Sequence, residues 1–230
     1  MRRFLLMIAA AVVFALPATA SADTVTFTAP ATGANQGSGG PGQFNLDHHD
    51  AYTWRIGGVD LTGKSITSAT LTIRNIRNWD SNANRLFIHL LDTARNAGVA
   101  SFQDAPANQT PVADIDDDFT DAHIRSGDNP LVRAGTGNTF LASQSFTTTA
   151  RTYVYTFTQD QLAVLSAYFM NGGDVAFGLD PDCHFWNDGI VFSFSTKATP
   201  TPEPTTIVLL GTGLAGLYYR RRKKQARNID

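Results

Sequence analysis

The sequence predicts an all-β protein, an antiparallel, jelly-roll-like β-sandwich with one short helix. Three observations predict it. Hydrophobic and polar residues alternate over many short segments, Gly, Asn, Asp and Pro separate these segments, and the helix-favouring residues Glu, Lys and Gln are scarce. With 43% hydrophobic and 17% charged residues, the chain of 230 residues can bury a core. Many short strands and a single helix favour two packed antiparallel sheets.

Alternation with a period of two residues places the strands. Residues 66–73 show it clearly, because Leu71 and Ile73 share one face while Thr70 and Thr72 share the other. The other predicted strands cover residues 24–28, 51–56, 86–91, 153–157, 175–179 and 190–194. The nearly continuous apolar run at 86–91 fits a central strand that is covered on both faces. Residues 98–110 are expected to be irregular.

One segment has the pattern of a helix. Thr158 and Gln161 have the spacing of a capping box, and apolar residues recur at helical spacing from Leu162 onward. Two glycines follow the segment and are typical of a helix end. The pattern predicts a helix over about 159–171.

The N-terminal residues 1–22 have the pattern of a secretory signal peptide. Two arginines after Met1 precede an apolar run at 4–16, and small residues lead to Ala22. A run of this length spans roughly 20 Å as a helix, too little for a membrane core of about 30 Å. We expect export by the Sec pathway and cleavage after Ala22, with Ala20 as the alternative.

The predicted β-sandwich ectodomain, residues 23–197, is acidic. Between Asp23 and Thr199 there are 18 Asp, no Glu, 8 Arg and 2 Lys, so this part has a net charge of −8 whereas the whole chain has −2. Nucleic-acid binding needs a basic surface, so this composition excludes nucleic acid as a partner of the ectodomain. The single cysteine, Cys183, excludes an internal disulfide.

Two acidic clusters contain oxygen ligands of the kind that calcium prefers. They comprise Asp114, Asp116, Asp117 and Asp118 in the first cluster and Asp180, Asp182 and Asp188 in the second. A metal would relieve the repulsion between neighbouring carboxylates, but a solvated loop or a turn explains both clusters as well. Calcium is the one candidate cofactor, because neither Cys183-His184 nor His48-His49 has the spacing of a zinc site.

Trp79, Trp186 and Asn187 are candidate ligand-binding residues. An aromatic ring can stack on the C–H face of a sugar, and amide and carboxylate groups can bind its hydroxyls. Trp79 lies in the polar stretch 75–82 and is expected to be partly exposed. The alternative is that the tryptophans pack in the core or at its rim.

We expect no enzymatic activity. The sequence has no Gly-x-Ser-x-Gly motif, and no partner that would make Cys183 a nucleophile can be assigned. Glycosidases need two carboxyl groups, and the acid is often Glu, which the ectodomain lacks. The alternative that stays open is a secreted polysaccharide-active enzyme on a jelly-roll scaffold.

The C-terminal part contains three elements in order. These are the tripeptide Pro202, Glu203, Pro204, an apolar run at 207–219, and a basic cluster that starts with Arg220, Arg221 and Arg222. The order resembles the PEP-CTERM sorting signal of exported bacterial proteins. We therefore divide this part into a Thr/Pro stalk with the PEP motif (198–205), a transmembrane helix (206–219) and a basic cytoplasmic tail (220–230), which is the orientation that the positive-inside rule favours.

The resemblance implies a destination and partners. Proteins with such tails are exported by Gram-negative bacteria that make extracellular polysaccharide, and an integral membrane protease, an exosortase, recognises the Pro-Glu-Pro residues and cuts the tail. The expected product is a non-enzymatic protein of the cell surface or the extracellular biofilm matrix, with carbohydrate or calcium as candidate ligands. The expected partners are an exosortase, the membrane before processing, and extracellular polysaccharide.

Overall fold

The structure, a computed structural model, describes residues 22–30, 46–47, 50–103, 117–199 and 205–226. It divides into two compact units, Met1–Ala198 and Thr199–Asp230. The predicted signal peptide apart from Ala22 lies outside the described residues, as do Asp114, Asp116, Pro202, Glu203 and Pro204. The predictions made for these residues stay predictions.

The described part of the first unit is mostly antiparallel β-structure, which confirms the predicted all-β class. Its strands are β1 (Ala22–Thr28), β2 (Asp50–Gly57), β3 (Lys64–Asn78), β4 (Arg85–Leu91), β5 (Gly98–Gln103), β6 (Asn138–Ser145), β7 (Arg151–Thr156), β8 (Asp174–Pro181), β9 (Phe185–Trp186) and β10 (Ile190–Ala198). One sheet has the order β1-β10-β3-β7, with β9 paired to the end of β3, and the other has the order β5-β2-β8-β4-β6. Strand β5 corrects the expectation of irregular structure for residues 98–103, while residues 104–110 lie outside the described part of the chain.

The core lies between the two sheets and consists of the inward-facing residues of both. Leu71 and Ile73 of β3 are fully buried, as the alternation predicted, while Thr70 and Thr72 lie on the opposite face and are half-buried. Aromatic rings connect the sheets: the ring centroids of Phe177 on β8 and Phe192 on β10 are 5.0 Å apart in a T-shaped arrangement. A large, continuous apolar interior of this kind supplies the main stabilisation of a domain without disulfides.

Residues 117–137, which we call the cover segment, pack on the outer face of the second sheet. Phe119, Ile124, Leu131 and Val132 form a second apolar cluster with residues of β2, β4 and β8. Strand β8 is consequently buried at every position. The prediction that residues 86–91 form a central strand covered on both faces is confirmed for β4, which lies between β8 and β6.

The cover segment contains a helix that the sequence reasoning missed. Helix α1 (Asp121–Ser126) begins after Thr120, whose side chain accepts a hydrogen bond from the His123 N–H, and it ends at Gly127 in the left-handed conformation. The prediction of a single helix in the domain was therefore wrong. Six residues are too short to show a helical repeat of apolar positions.

Helix α2 (Gln159–Met170) confirms the predicted helix at about 159–171. The capping box is complete, since the Gln161 N–H donates to Thr158 Oγ1 at 3.3 Å and the Thr158 N–H donates to Gln161 Oε1 at 3.0 Å. Leu162, Leu165 and Phe169 are buried against the core. Asn171 is the C-terminal cap, so the helix ends one residue earlier than predicted.

Helix α3 (Thr205–Ala226) occupies most of the second unit. The basic residues, predicted as a separate tail at 220–230, continue this helix, because Arg, Lys and Gln favour helix and no Gly or Pro occurs between 217 and 226. Among the described residues, no helix combines the length and the apolar character needed to cross a membrane. The transmembrane helix predicted at 206–219 is thus not confirmed.

Candidate functional site

The short strand β9 and the end of β3 form a two-stranded ribbon with one face toward the core and one toward solvent. Arg77 lies opposite Trp186, and Asn78 lies opposite Phe185. Asn78 and Phe185 are 1% and 0% exposed, so they form the inner face. Arg77 and Trp186 therefore share the outer face, where the Arg77 guanidinium lies 5.0 Å from the centre of the Trp186 ring.

The same alternation places two further side chains on the outer face. The Trp79 N–H donates to the His184 carbonyl at 3.1 Å, which extends the ribbon by one pair. The ring centroids of His184 and Trp186 are 5.5 Å apart in an edge-to-face contact. Arg77, Trp79, His184 and Trp186 thus lie on one outward surface, which we call the tryptophan face.

Trp79 is held in an exposed position. Its side chain is 54% exposed, and its indole N–H donates to the Cys183 sulfur at 3.1 Å. The Trp79 loop, residues 78–84, is closed by short side-chain hydrogen bonds: Asp80 Oδ1 accepts from the Asn82 N–H and from Asn84 Nδ2, each at 2.9 Å. Such Asx-type bonds restrict the loop, so the indole is presented to solvent at a low entropic cost.

Two titratable groups border the tryptophan face. Burial raises the pKa of the Asp182 carboxyl to about 6, although the Arg85 backbone N–H donates a hydrogen bond to it. Burial also raises the pKa of the Cys183 thiol. The thiol is therefore mainly protonated at neutral pH and poorly nucleophilic.

The turn that follows the tryptophan face uses two of the candidate residues. Asn187 is 1% exposed, and its side-chain oxygen accepts from the Gly189 N–H at 2.9 Å. Asp188 is exposed and accepts from Asn75 Nδ2 at 2.6 Å. Asn75 has a φ of 47°, a left-handed conformation that Asn tolerates. These contacts favour a structural role in the turn for Asn187 over the predicted ligand contact.

The structure brings together members of the two acidic clusters that sequence suggested as calcium ligands. Asp180 is 3% exposed and accepts a hydrogen bond from the Asp118 N–H at 2.7 Å. Asp117 contacts the Nε2 atom of His89 at 2.7 Å. Asp182 accepts a hydrogen bond from the Arg85 N–H and Asp188 accepts one from Asn75, so the second cluster does not converge on one point. In the described part of the chain, no group of three or more His, Cys, Asp or Glu side chains is arranged to hold a metal ion.

Sequence reasoning missed Arg77, His184 and His89. The first two belong to the tryptophan face. His184 precedes Trp186 by two positions, a spacing that places both on one face of a strand, whereas the position of Arg77 beside Trp186 depends on the pairing of β3 with β9. His89 is 2% exposed and contacts Asn138 Oδ1 through its Nδ1 atom at 2.8 Å. A histidine inside the apolar run 86–91 was a usable signal, because a buried polar side chain needs hydrogen-bond partners.

The second unit contains the residues whose sequence resembles a sorting signal. Helix α3 joins the apolar residues 207–219 to Arg220, Arg221 and Arg222. The family profile described as the PEP-CTERM protein-sorting motif matches residues 200–223. The chain carries a PEP-CTERM sorting motif. This motif implies an exported, surface-directed protein that is processed by an exosortase.

The PEP-CTERM motif begins two residues after the end of β10, so the match does not include the β-structure. A comparison of the chain with curated proteins found no match. We call the described β-structure, which ends at Ala198, the β-domain, and its role is inferred from its own surface.

Proposed function

We propose that this protein is an exported surface or extracellular-matrix protein, and that its β-domain binds polysaccharide through the tryptophan face. One observation carries the binding proposal: Trp79 is 54% exposed although the loop around it is tightly hydrogen-bonded. An exposed large aromatic residue on a rigid loop is typical of a binding surface, because it contributes contact area without losing much conformational freedom.

The chemistry of the tryptophan face suits a sugar chain. Trp79 and Trp186 offer indole rings, which can stack on the C–H faces of sugars. The His184 ring, with a side chain 19% exposed, and the Arg77 guanidinium supply hydrogen-bond donors beside the rings. A surface of flat rings edged by polar groups is the usual design of a carbohydrate contact.

The strand order supports a jelly roll as the scaffold. Without β5 and β9, the two sheets read β1-β10-β3-β7 and β2-β8-β4-β6. The chain then changes sheets at every connection except that between β4 and β6, as expected for two Greek keys in an eight-stranded jelly roll. Such scaffolds host many functions, so the binding proposal depends on the site rather than on the fold.

The two ends of the sequence support the proposed route. Residues 1–22 would direct export through Sec, and residues 207–219 would hold the precursor at the membrane until the exosortase acts. The five basic residues from Arg220 to Lys224 favour a cytoplasmic position for this end of the precursor. The acidic β-domain would then be released to the cell surface or the matrix.

Affinity electrophoresis of the β-domain tests the binding proposal. The gels contain hydroxyethylcellulose, carboxymethylcellulose, dextran or dextran sulfate, which cover neutral and anionic chains on two backbones. At least one of them should retard the wild type, and Trp79→Ala should weaken that retardation about tenfold or more, equivalent to about 1.4 kcal/mol. The melting temperature should change little, because the side chain is more than half exposed.

The control is Phe140→Ala, which removes an aromatic side chain with a similar exposure of 51% on strand β6. This variant should bind like the wild type. If none of the four polysaccharides retards the wild type, or if Trp79→Ala binds as well as the wild type, the binding proposal is wrong.

A polysaccharide-active enzyme is the second candidate, and Asp182 is the observation that favours it. A carboxyl group with a pKa of about 6 beside an aromatic surface has the property of a general acid in a glycosidase. Chain shortening of hydroxyethylcellulose or dextran, measured by viscometry and reducing ends, would favour this candidate if Asp182→Asn abolishes it. Binding without shortening supports the non-enzymatic proposal.

A further inference from the structure

A cleft lies between the Trp79 loop and the connection from β6 to β7. It has a volume of about 410 Å³, with Ser81, Asn82 and Ala83 on one wall and residues 145–148 on the other. Pockets that hold small ligands have volumes of roughly 300–1,000 Å³. The cleft is therefore large enough for part of a sugar chain.

Both walls of the cleft are fixed by contacts within the fold. The Asn78 N–H donates to the Thr147 carbonyl at 2.9 Å, which joins the Trp79 loop to the connection between β6 and β7. Phe146 is 3% exposed, and its ring packs edge-to-face against Phe185 with centroids 5.6 Å apart. The Arg151 guanidinium lies over the Phe146 ring, 5.3 Å from its centroid. A cleft with fixed walls can bind a ligand without a large ordering cost.

The lining of the cleft has no ionisable side chain. The lining residues are the hydroxyl-bearing Ser81, Ser145, Thr147 and Thr148, together with Asn82, Ala83 and Phe146. Hydroxyl groups can pair with sugar hydroxyls, whereas the lining itself offers no cationic side chain to a carboxylate or a sulfate. The adjacent Arg151 guanidinium already donates to the Ser145 carbonyl at 3.2 Å. The lining thus matches an uncharged sugar unit.

The cleft and the tryptophan face are close enough to contact one chain. Ser81 follows Trp79 by two residues, so their Cα atoms are at most about 7 Å apart. We propose that the cleft is a second binding position, which receives an uncharged sugar unit of the same polysaccharide that stacks on Trp79 and so selects neutral chains. This inference depends on the proposed function, because it assigns the ligand class of the same surface.

The test measures the binding of two matched pairs of polysaccharides to the protein. The melting transition of each variant shows whether it is folded. Hydroxyethylcellulose and carboxymethylcellulose share one backbone, and dextran and dextran sulfate share another, so each pair differs chiefly in charge. The wild type should bind the neutral member of one pair about tenfold or more tightly than the anionic member. Ala83→Trp, which fills the cleft, should lower the affinity for the neutral chain about tenfold and leave weaker binding that depends on Trp79.

The matched control is Ala163→Trp, which adds the same side chain at an exposed position of helix α2 and should bind like the wild type. If Ala83→Trp does not fold, judged by its melting transition, Thr148→Trp fills the cleft from the opposite wall. The inference is wrong if the folded cleft variants bind with wild-type affinity or if the wild type prefers the anionic chains. In either case, binding that depends on Trp79 would still support the proposed function. Absence of binding to all four polysaccharides would instead overturn both.

Discussion

The surroundings of Asp182 disfavour the charged form of its carboxyl group. It is half-buried beside the tryptophan face, and burial raises its pKa from 3.8 to about 6. The Arg85 N–H opposes this effect, while the negative charge of Asp80 adds to it. The carboxylate is consequently less stable in the folded protein than in the unfolded chain, and this cost appears when the group loses its proton.

The pH dependence of stability should show this cost. Between pH 4 and 6 the unfolded chain has lost the Asp182 proton while the folded protein retains it, so the contribution of this group to stability falls as the pH rises through this window. Asp182→Asn keeps an oxygen acceptor for the Arg85 N–H and carries no charge. Its melting temperature relative to wild type should therefore rise between pH 4 and 7.

The control for this measurement is Asp128→Asn, which changes an exposed carboxyl group in the cover segment. Its difference from the wild type should not grow over the same range. A difference for Asp182→Asn that is independent of pH would contradict the raised pKa.

Two residues of the second sheet, Gly178 and His89, help to position the cover segment. Phe119 lies directly over Gly178 of β8, where a Cβ atom would be 2.8 Å from the Phe119 ring. His89 of β4 contacts Asp117, the first residue of the segment, at one ring nitrogen, and Asn138, the first residue of β6 directly after the segment, at the other. The segment therefore needs a residue without a side chain at 178 and a buried histidine at 89.

Gly178→Ala should loosen the cover segment. The added methyl group cannot fit without moving the Phe119 ring, and overpacking of this kind costs about 1–3 kcal/mol in unfolding free energy. Urea denaturation measures the loss, and amide hydrogen exchange should accelerate between residues 117 and 137. Gly57→Ala is the control, because its Cβ atom would meet Asp174 Cβ at an ordinary 3.6 Å; equal stability of the two variants would show that Phe119 is not seated as described.

At the scale of the whole molecule, the two ends of the β-domain meet in one sheet. Strand β1 pairs with β10, with Ala22 opposite Lys197, so the predicted cleavage site of the signal peptide lies beside the exit toward the sorting motif. Strand β10 also pairs with β3. The sheet can form only after residues 190–198 have been exported, which places its completion just before the PEP-CTERM segment in chain order.

Processing should therefore remove the second unit and leave the β-domain intact. The intact mass of the protein from its native host should lack residues 205–226. A domain ending at Thr199 should melt at the temperature of the full-length chain, since Met1–Ala198 is a compact unit by itself. Glu203→Ala should leave the tail uncleaved. Glu203→Asp tests whether the exosortase accepts a shorter carboxylate at this position. Retention of residues 205–226 in the wild-type product would contradict processing.

The sequence predicted the elements whose signals are local. Helix α2 was found because its capping box and apolar repeat lie within twelve residues, and β3 because alternation needs only neighbouring positions. The sorting motif was recognised for the same reason, since its parts follow one another along the chain. Helix α1 and strand β5 were missed because they are short and their burial comes from packing partners distant in sequence.

The tryptophan face had to come from the folded chain. The partial exposure predicted for Trp79 from its polar surroundings in sequence is confirmed at 54%, but the neighbours that share its surface could not be predicted in this way. Trp79 meets Cys183 across 104 positions, and the pairing of β9 with β3 decides which side chains face solvent. A shift of one residue in that pairing would turn Trp186 toward the core. Periodicity is a local property and could be read directly, whereas register depends on contacts between distant strands.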